Sequence, residues 1–152
     1  MNVLFVCGGN TCRSPMAKVI LEEMLRAKGI ANKAVVDSAA YDEPTLDTAS
    51  GGAREAIRCL FGADLLASHC TKSLDDELVD WADMILVMAS RMKACLPAKK
   101  TYTLREYAGQ TGDVADPWGK EVENYIKCAK EIRGCLVSAW PRLATQVEHA
   151  AE

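Results

Sequence analysis

The sequence predicts an α/β fold: a single-domain, doubly wound sheet of about four parallel strands with helices on both faces. Two observations carry that prediction. Short apolar runs alternate with amphipathic stretches along the whole chain, the pattern of βαβ units with right-handed crossovers. The segment Cys7-Gly8-Gly9-Asn10-Thr11-Cys12-Arg13-Ser14-Pro15 follows directly on the apolar run Val3-Leu4-Phe5-Val6. Open parallel sheets bind their ligands beyond the carboxyl ends of the strands, and Cys7 lies at such an end.

Each element follows in order. Residues 3–6 are a continuous apolar run of buried parallel-strand type. Residues 16–28 form an amphipathic helix, with Ala17, Ile20, Leu21, Met24 and Leu25 on one stripe and Gly29 as its C-terminal cap. Residues 34–36 are a second short strand ending in Asp37-Ser38. A helix is expected around 48–60, weakened by Gly51-Gly52 and stopped near Gly62. Ser73 with Asp76 reads as a variant capping box for a short helix through Trp81. Residues 84–88 are the clearest later strand, Ser90 caps a brief helix ended by Pro97, and residues 102–104 are an edge strand. A loop from Gly109 to Gly119 precedes a long helix from about Lys120, which Gly134 and Pro141 should kink or end near Trp140.

Composition narrows the function classes. At 152 residues the chain suits one compact domain spanning 1–152, and 49% hydrophobic with 26% charged residues argues for a packed core. A net charge of −3 gives no basic footprint, so no nucleic-acid partner is expected. No apolar run approaches the ~18 residues of a membrane span, and no signal peptide is recognisable. The seven cysteines are odd in number and include no CxxC, which points to a reducing cytoplasm rather than a disulfide framework. Cys59, Cys95, Cys128 and Cys135 fall among apolar helix positions and are expected in the core. With two histidines and no ligand pair, neither a metal nor another cofactor is expected, and a monomer is the favoured state.

The chemistry is concentrated in the first loop. Gly8 and Gly9 let the backbone curl so that successive N–H groups point inward as an anion nest. Ser14 and Pro15 read as N-cap and first helical residue, setting a helix N-terminus beneath it. An oxyanion held by Gly8, Gly9, Asn10, Thr11 and Cys12 would also meet the bidentate guanidinium of Arg13. The same field favours the thiolate of Cys7, a nucleophile facing a bound phosphate. An acid for the leaving group must come from elsewhere. Asp116-Pro117 in the late loop is the best candidate, with Asp113 as the competing carboxylate; alternatively Asp116 only caps the helix that follows.

The string Cys7-Gly8-Gly9-Asn10-Thr11-Cys12-Arg13-Ser14-Pro15-Met16-Ala17, with a distal Asp116-Pro117, resembles the low-molecular-weight protein tyrosine phosphatase family over nearly the whole chain. The resemblance implies a flavodoxin-like sheet and a metal-free, two-step reaction. Cys7 would form a cysteinyl-phosphate, Arg13 would bind the phosphoryl oxygens, and Asp116 would protonate the leaving group and then activate water. Ser14 would donate to the Cys7 thiolate, and Asn10, Ser14, Ser38 and His69 would hold the loop in shape. His69 is thus a structural residue rather than a general base, and His149 a solvated one.

Substrate choice rests on fewer residues. Thr11 stands where tyrosine phosphatases of this family usually carry a bulky aliphatic residue, and the string around it resembles the protein arginine phosphatase branch. Thr103-Leu104-Arg105-Glu106-Tyr107, Gly112-Asp113-Val114 and Asp116-Pro117-Trp118-Gly119 resemble that branch too. A Thr11 hydroxyl suits a polar guanidinium, and Trp118 could stack on that cation. Phosphoarginine on proteins is therefore the expected substrate, with phosphotyrosine as the alternative. Gly8 replaces a larger residue and opens the pocket wall, while Ser38-Ala39-Ala40 replaces a common Ser-Ala-Gly. Cys12, in the same curled loop as Cys7, is expected to form a reversible protective disulfide with it on oxidation. A more distant alternative, a thiol-dependent arsenate reductase, needs two further redox cysteines on one mobile segment. Cys70 and Cys95 are far apart in sequence, and Cys128 and Cys135 lie about 10 Å apart by helical rise.

Overall fold

A computed structural model describes residues 1–150. Four strands, β1 (Asn2–Cys7), β2 (Val35–Ala40), β3 (Met84–Val87) and β4 (Thr101–Thr103), form one sheet in the order β2-β1-β3-β4. All three pairings are parallel, with Val3 opposite Val36 and Met84, and Cys7 opposite Ala40. The period-two alternation of a strand divides the core. Val3, Phe5 and Cys7 face one layer and Leu4 and Val6 the other.

The first layer holds α1 (Arg13–Ala27), α2 (Gly51–Phe61) and α5 (Val122–Ala150), whose buried side chains include Ile20, Leu21, Ile57, Ile132 and Leu136. The second face is covered more thinly. There α3 (Asp76–Trp81) contributes Leu78, Val79 and Trp81, and the turn after β3 contributes Met92. One further four-residue helix, α4 (Leu104–Tyr107), follows β4 and is capped by the Thr103 hydroxyl, which accepts from Glu106 N–H at 3.0 Å.

Several local expectations need correction. Ser14 does not cap α1: the helix begins at Arg13, Cys12 occupies the cap position without a side-chain bond to the helix N–H groups, and the Ser14 hydroxyl lies against the Cys7 sulfur. The cap of α3 is Asp75, which accepts from Leu78 N–H at 2.8 Å; Ser73 instead bridges to Ala40. The second strand runs on to Ala40 because it pairs with β1 along its length. Helix α2 begins at Gly51, where Ser50 supplies the cap, rather than near Thr48. A 3₁₀ turn over Ser90–Lys93 replaces the helix that Ser90 was expected to cap, and Ala89 holds its cap position. The last helix does not end near Trp140. It runs through Pro141 to Ala150, because its inner face, including Ala139, Leu143 and Val147, stays buried along its length. Cys128 and Cys135 are core residues as expected, but Cys59 and Cys95 are exposed, on the outer face of α2 and in a turn.

Candidate active site

The site lies where the strand order reverses direction, at the carboxyl ends of β1 and β3. β1 delivers Cys7, and the chain then curls through residues 8–12 into α1. Asn10 takes a left-handed backbone conformation, φ 57°, which asparagine tolerates better than most residues. Its fully buried side chain explains why it holds that conformation. Nδ2 donates to Ser14 Oγ and to Ser38 Oγ, each at 2.9 Å, and Oδ1 accepts from Lys72 N–H at 3.1 Å. The Asn10 carbonyl in turn accepts from His69 Nε2 at 2.8 Å. Burial holds the His69 imidazole below the ordinary histidine range, as suits a neutral ring that props the loop from behind.

These bonds determine what Cys7 meets. Ser14 Oγ lies 2.9 Å from Cys7 Sγ. Both hydrogens of the Asn10 amide are spent on hydroxyl oxygens, so Ser14 is an acceptor toward Asn10 and keeps its own proton for another partner; toward a Cys7 thiolate, which carries no proton, Ser14 is the donor. The other half of the loop is held separately. Cys12 Sγ lies 3.2 Å from Ser50 Oγ and 3.5 Å from Thr11 Oγ1, and Ser50 N–H donates to the Thr11 carbonyl at 3.0 Å. Burial raises the Cys12 thiol above its ordinary value, and pushes Cys128 up to about 12, so both are neutral thiols at physiological pH. All seven cysteines are free.

Arg13 is buried, and its Nη1 donates to the Val114 carbonyl at 2.8 Å. That carbonyl is well fixed, because Val114 N–H donates to Met88 O at 2.8 Å and Asp113 accepts from Ser90 N–H at 2.9 Å. Asp113 is therefore a tether for the late loop, whereas Asp116 reaches the site. Asp116 Oδ2 stands 3.5 Å from Arg13 Nη2 with its side chain 53% exposed. Its Oδ1 accepts from Trp118 N–H at 3.1 Å, so it closes a local turn and caps no helix.

Cys7, Gly8, Gly9, Thr11, Cys12 and Arg13 line one cavity of about 230 Å³ together with Asp116 and Trp118, the latter 51% exposed at the rim. Asn10, Ser14, Ser38 and His69 lie behind it. Four lining residues were not anticipated: Asp42, Glu43, Thr45 and Arg91. The signal for them is topological, since they follow β2 and β3 and so emerge at the same sheet end as Cys7. Among the described residues no cluster of His, Cys, Asp or Glu is arranged to hold a metal ion, and no helix is long and apolar enough to cross a membrane.

A thiol, the loop that follows it, a buried guanidinium and a carboxylate, all lining one cavity, define a cysteine-dependent phosphatase site. A family model described as low molecular weight phosphotyrosine protein phosphatase matches residues 2–150. The chain belongs to that family and is a phosphoprotein phosphatase. It is 31% identical to a protein-arginine-phosphatase of Bacillus subtilis (strain 168) over 143 residues, 90% of this chain and 92% of the relative. A crystal structure of a low molecular weight protein tyrosine phosphatase from T. tengcongensis superposes with a TM-score of 0.86 at 38% identity, covering 93% of this chain and 99% of that one. YwlE arginine phosphatase, in a mutant form with a phosphorylated active-site serine, superposes with a TM-score of 0.82 at 32% identity, covering 97% and 96%.

Proposed function

We propose that the protein removes phosphoryl groups from arginine side chains of proteins through a phosphocysteine at Cys7. The observation that carries this reading is the company Cys7 keeps in one cavity: Arg13, Thr11, Asp116 and Trp118. The Cys7 thiolate attacks phosphorus while the loop amides and the Nε and Nη2 edge of Arg13 hold the equatorial oxygens. Asp116 gives its proton to the departing nitrogen, which leaves as a guanidinium, and then takes a proton from the water that attacks the phosphocysteine. The Ser14 hydroxyl stabilises the thiolate as it leaves in this second step.

Thr11 supplies a hydroxyl rather than an aliphatic wall, and Trp118 an aromatic face for a planar cation. The likeness to protein-arginine-phosphatases supports this substrate, while the tyrosine phosphatase from T. tengcongensis favours the second reading, phosphotyrosine. Comparing kcat/KM on phosphoarginine and phosphotyrosine peptides, before and after Thr11→Ile, separates the two. The unaltered enzyme should prefer phosphoarginine, and Thr11→Ile should move the ratio toward phosphotyrosine by about tenfold. A ratio that does not move would refute Thr11 as the specificity residue.

The same reading includes a thiol switch. Peroxide oxidises the Cys7 thiolate to a sulfenic acid, and the Cys12 thiol attacks that sulfur with release of water to form a disulfide that thiols reverse. Thiol mapping after peroxide treatment should find the Cys7–Cys12 bridge; a Cys7 sulfinate without any bridge would sink it.

A further inference from the structure

Asp42 and Arg91 meet at the cavity wall from two different loops, and the backbone fixes where they meet. Tyr41 N–H donates to the Cys7 carbonyl at 2.8 Å and Asp42 N–H to the Gly8 carbonyl at 3.0 Å, zipping the segment after β2 onto the phosphate loop. Arg91, from the turn after β3, donates through Nη2 and Nη1 to the two carboxylate oxygens of Asp42, at 2.7 and 3.3 Å. Its guanidinium also lies 5.7 Å over the Tyr41 ring. This fork lies directly against the space that a side chain at position 8 would enter. A Cβ on Gly8 would come within 3.3 Å of Asp42 Oδ2, 3.7 Å of Arg91 Nη2 and 3.8 Å of Arg13 Nη2. The bare glycine thus lets a carboxylate reach a wall that a larger residue would occupy itself.

An exposed ion pair of this kind adds little to stability, so its consequence is for what binds. The fork engages one lone-pair direction on each carboxylate oxygen, leaving the others open to a further donor. The positive charge of Arg91 offsets the repulsion that a bare carboxylate would exert on an incoming phosphoryl group. A substrate guanidinium brings donors to the open oxygens. An aryl ring brings none, and pressing it against the pair would strip water from charged groups without replacement.

We propose that Asp42, held over Gly8 by Arg91, is a specificity-determining residue that reads the guanidinium of a phosphoarginine substrate from the Gly8 wall of the cavity. The inference rests on the arginine-directed reading above and adds a second carboxylate to Asp116. Asp42→Asn keeps the shape of the side chain and removes its charge. It should lower the phosphoarginine-to-phosphotyrosine ratio of kcat/KM by about tenfold, with the change mainly in KM for phosphoarginine. Gly8→Ala, which pushes on Asp42 Oδ2, should shift the ratio in the same direction by a smaller factor. If the unaltered enzyme turns over phosphoarginine and Asp42→Asn leaves the ratio unchanged, the inference fails alone. Absence of phosphoarginine turnover in the unaltered enzyme would overturn the arginine-directed reading and the inference together.

Discussion

At the scale of single residues, the direction of one hydrogen bond decides how Cys7 behaves. Asn10 donates to Ser14 and leaves the Ser14 proton free, so Ser14 donates to sulfur whenever Cys7 is a thiolate, and this bond strengthens as negative charge develops there. Ser14→Ala should lower kcat by roughly 10–100-fold through slow breakdown of the phosphocysteine. Rapid-quench measurements should then find phosphoenzyme accumulating; a fall in kcat without accumulation would place the effect in the first step. The two candidate acids separate in the same way. Asp116→Asn should cost about 10²–10⁴ in kcat. Asp113→Asn, which weakens only the tether to Ser90 N–H, should cost a few-fold at most. Equal losses would mean that Asp116 has no role beyond loop structure.

His69 gives the site a pH dependence of its own. Burial lowers its native affinity for protons, so the unfolded chain protonates at a higher pH than the folded one. The support it gives the fold is present above the ordinary histidine range near 6.5 and is lost as pH falls from there through the lowered native value. Urea denaturation of the wild type should therefore show stability declining below about pH 6.5 more steeply than in His69→Asn. Identical slopes would remove His69 from the account.

Among the elements, α2 and α5 show where sequence reading stops. Gly51-Gly52 reads as helix weakness, yet a Cβ at Gly52 would stand 2.5 Å from the Tyr125 ring, a distance no side chain tolerates. The glycine is there so that α5 can press Tyr125 against α2, next to the Ser50 cap and the Cys12 thiol. Gly52→Ala should cost about 1–3 kcal/mol despite alanine's better helix propensity, measurable by equilibrium denaturation. A stabilised variant would contradict the packing described. Pro141 misleads in the opposite sense. Its local cost is a carbonyl at Val137 left without a helical partner, and Val137 is 58% exposed, so water can take the bond. The buried face of α5 then carries the helix past it. Local propensity could report neither fact, because both depend on which element lies opposite.

For the whole molecule, the contiguous part of the site was legible and the assembled part only in places. Cys7 to Ser14 are neighbours in sequence, so their chemistry could be read from spacing. Asp116, the proposed acid, was legible because an acid had to come from another loop and Asp-Pro marked one. Asp42 and Arg91 were not, since neither belongs to a motif and only the parallel order β2-β1-β3 brings their loops together over Gly8. That same order gathers the Cys7 thiol, the Arg13 guanidinium and the Asp116 carboxylate at one end of the sheet. The most direct test is an acid-quenched reaction with a radiolabelled phosphoarginine peptide, followed by mapping of the label. The account predicts label on Cys7 in the unaltered enzyme and none in Cys7→Ala. Turnover without label on Cys7, or turnover surviving Cys7→Ala, would contradict it.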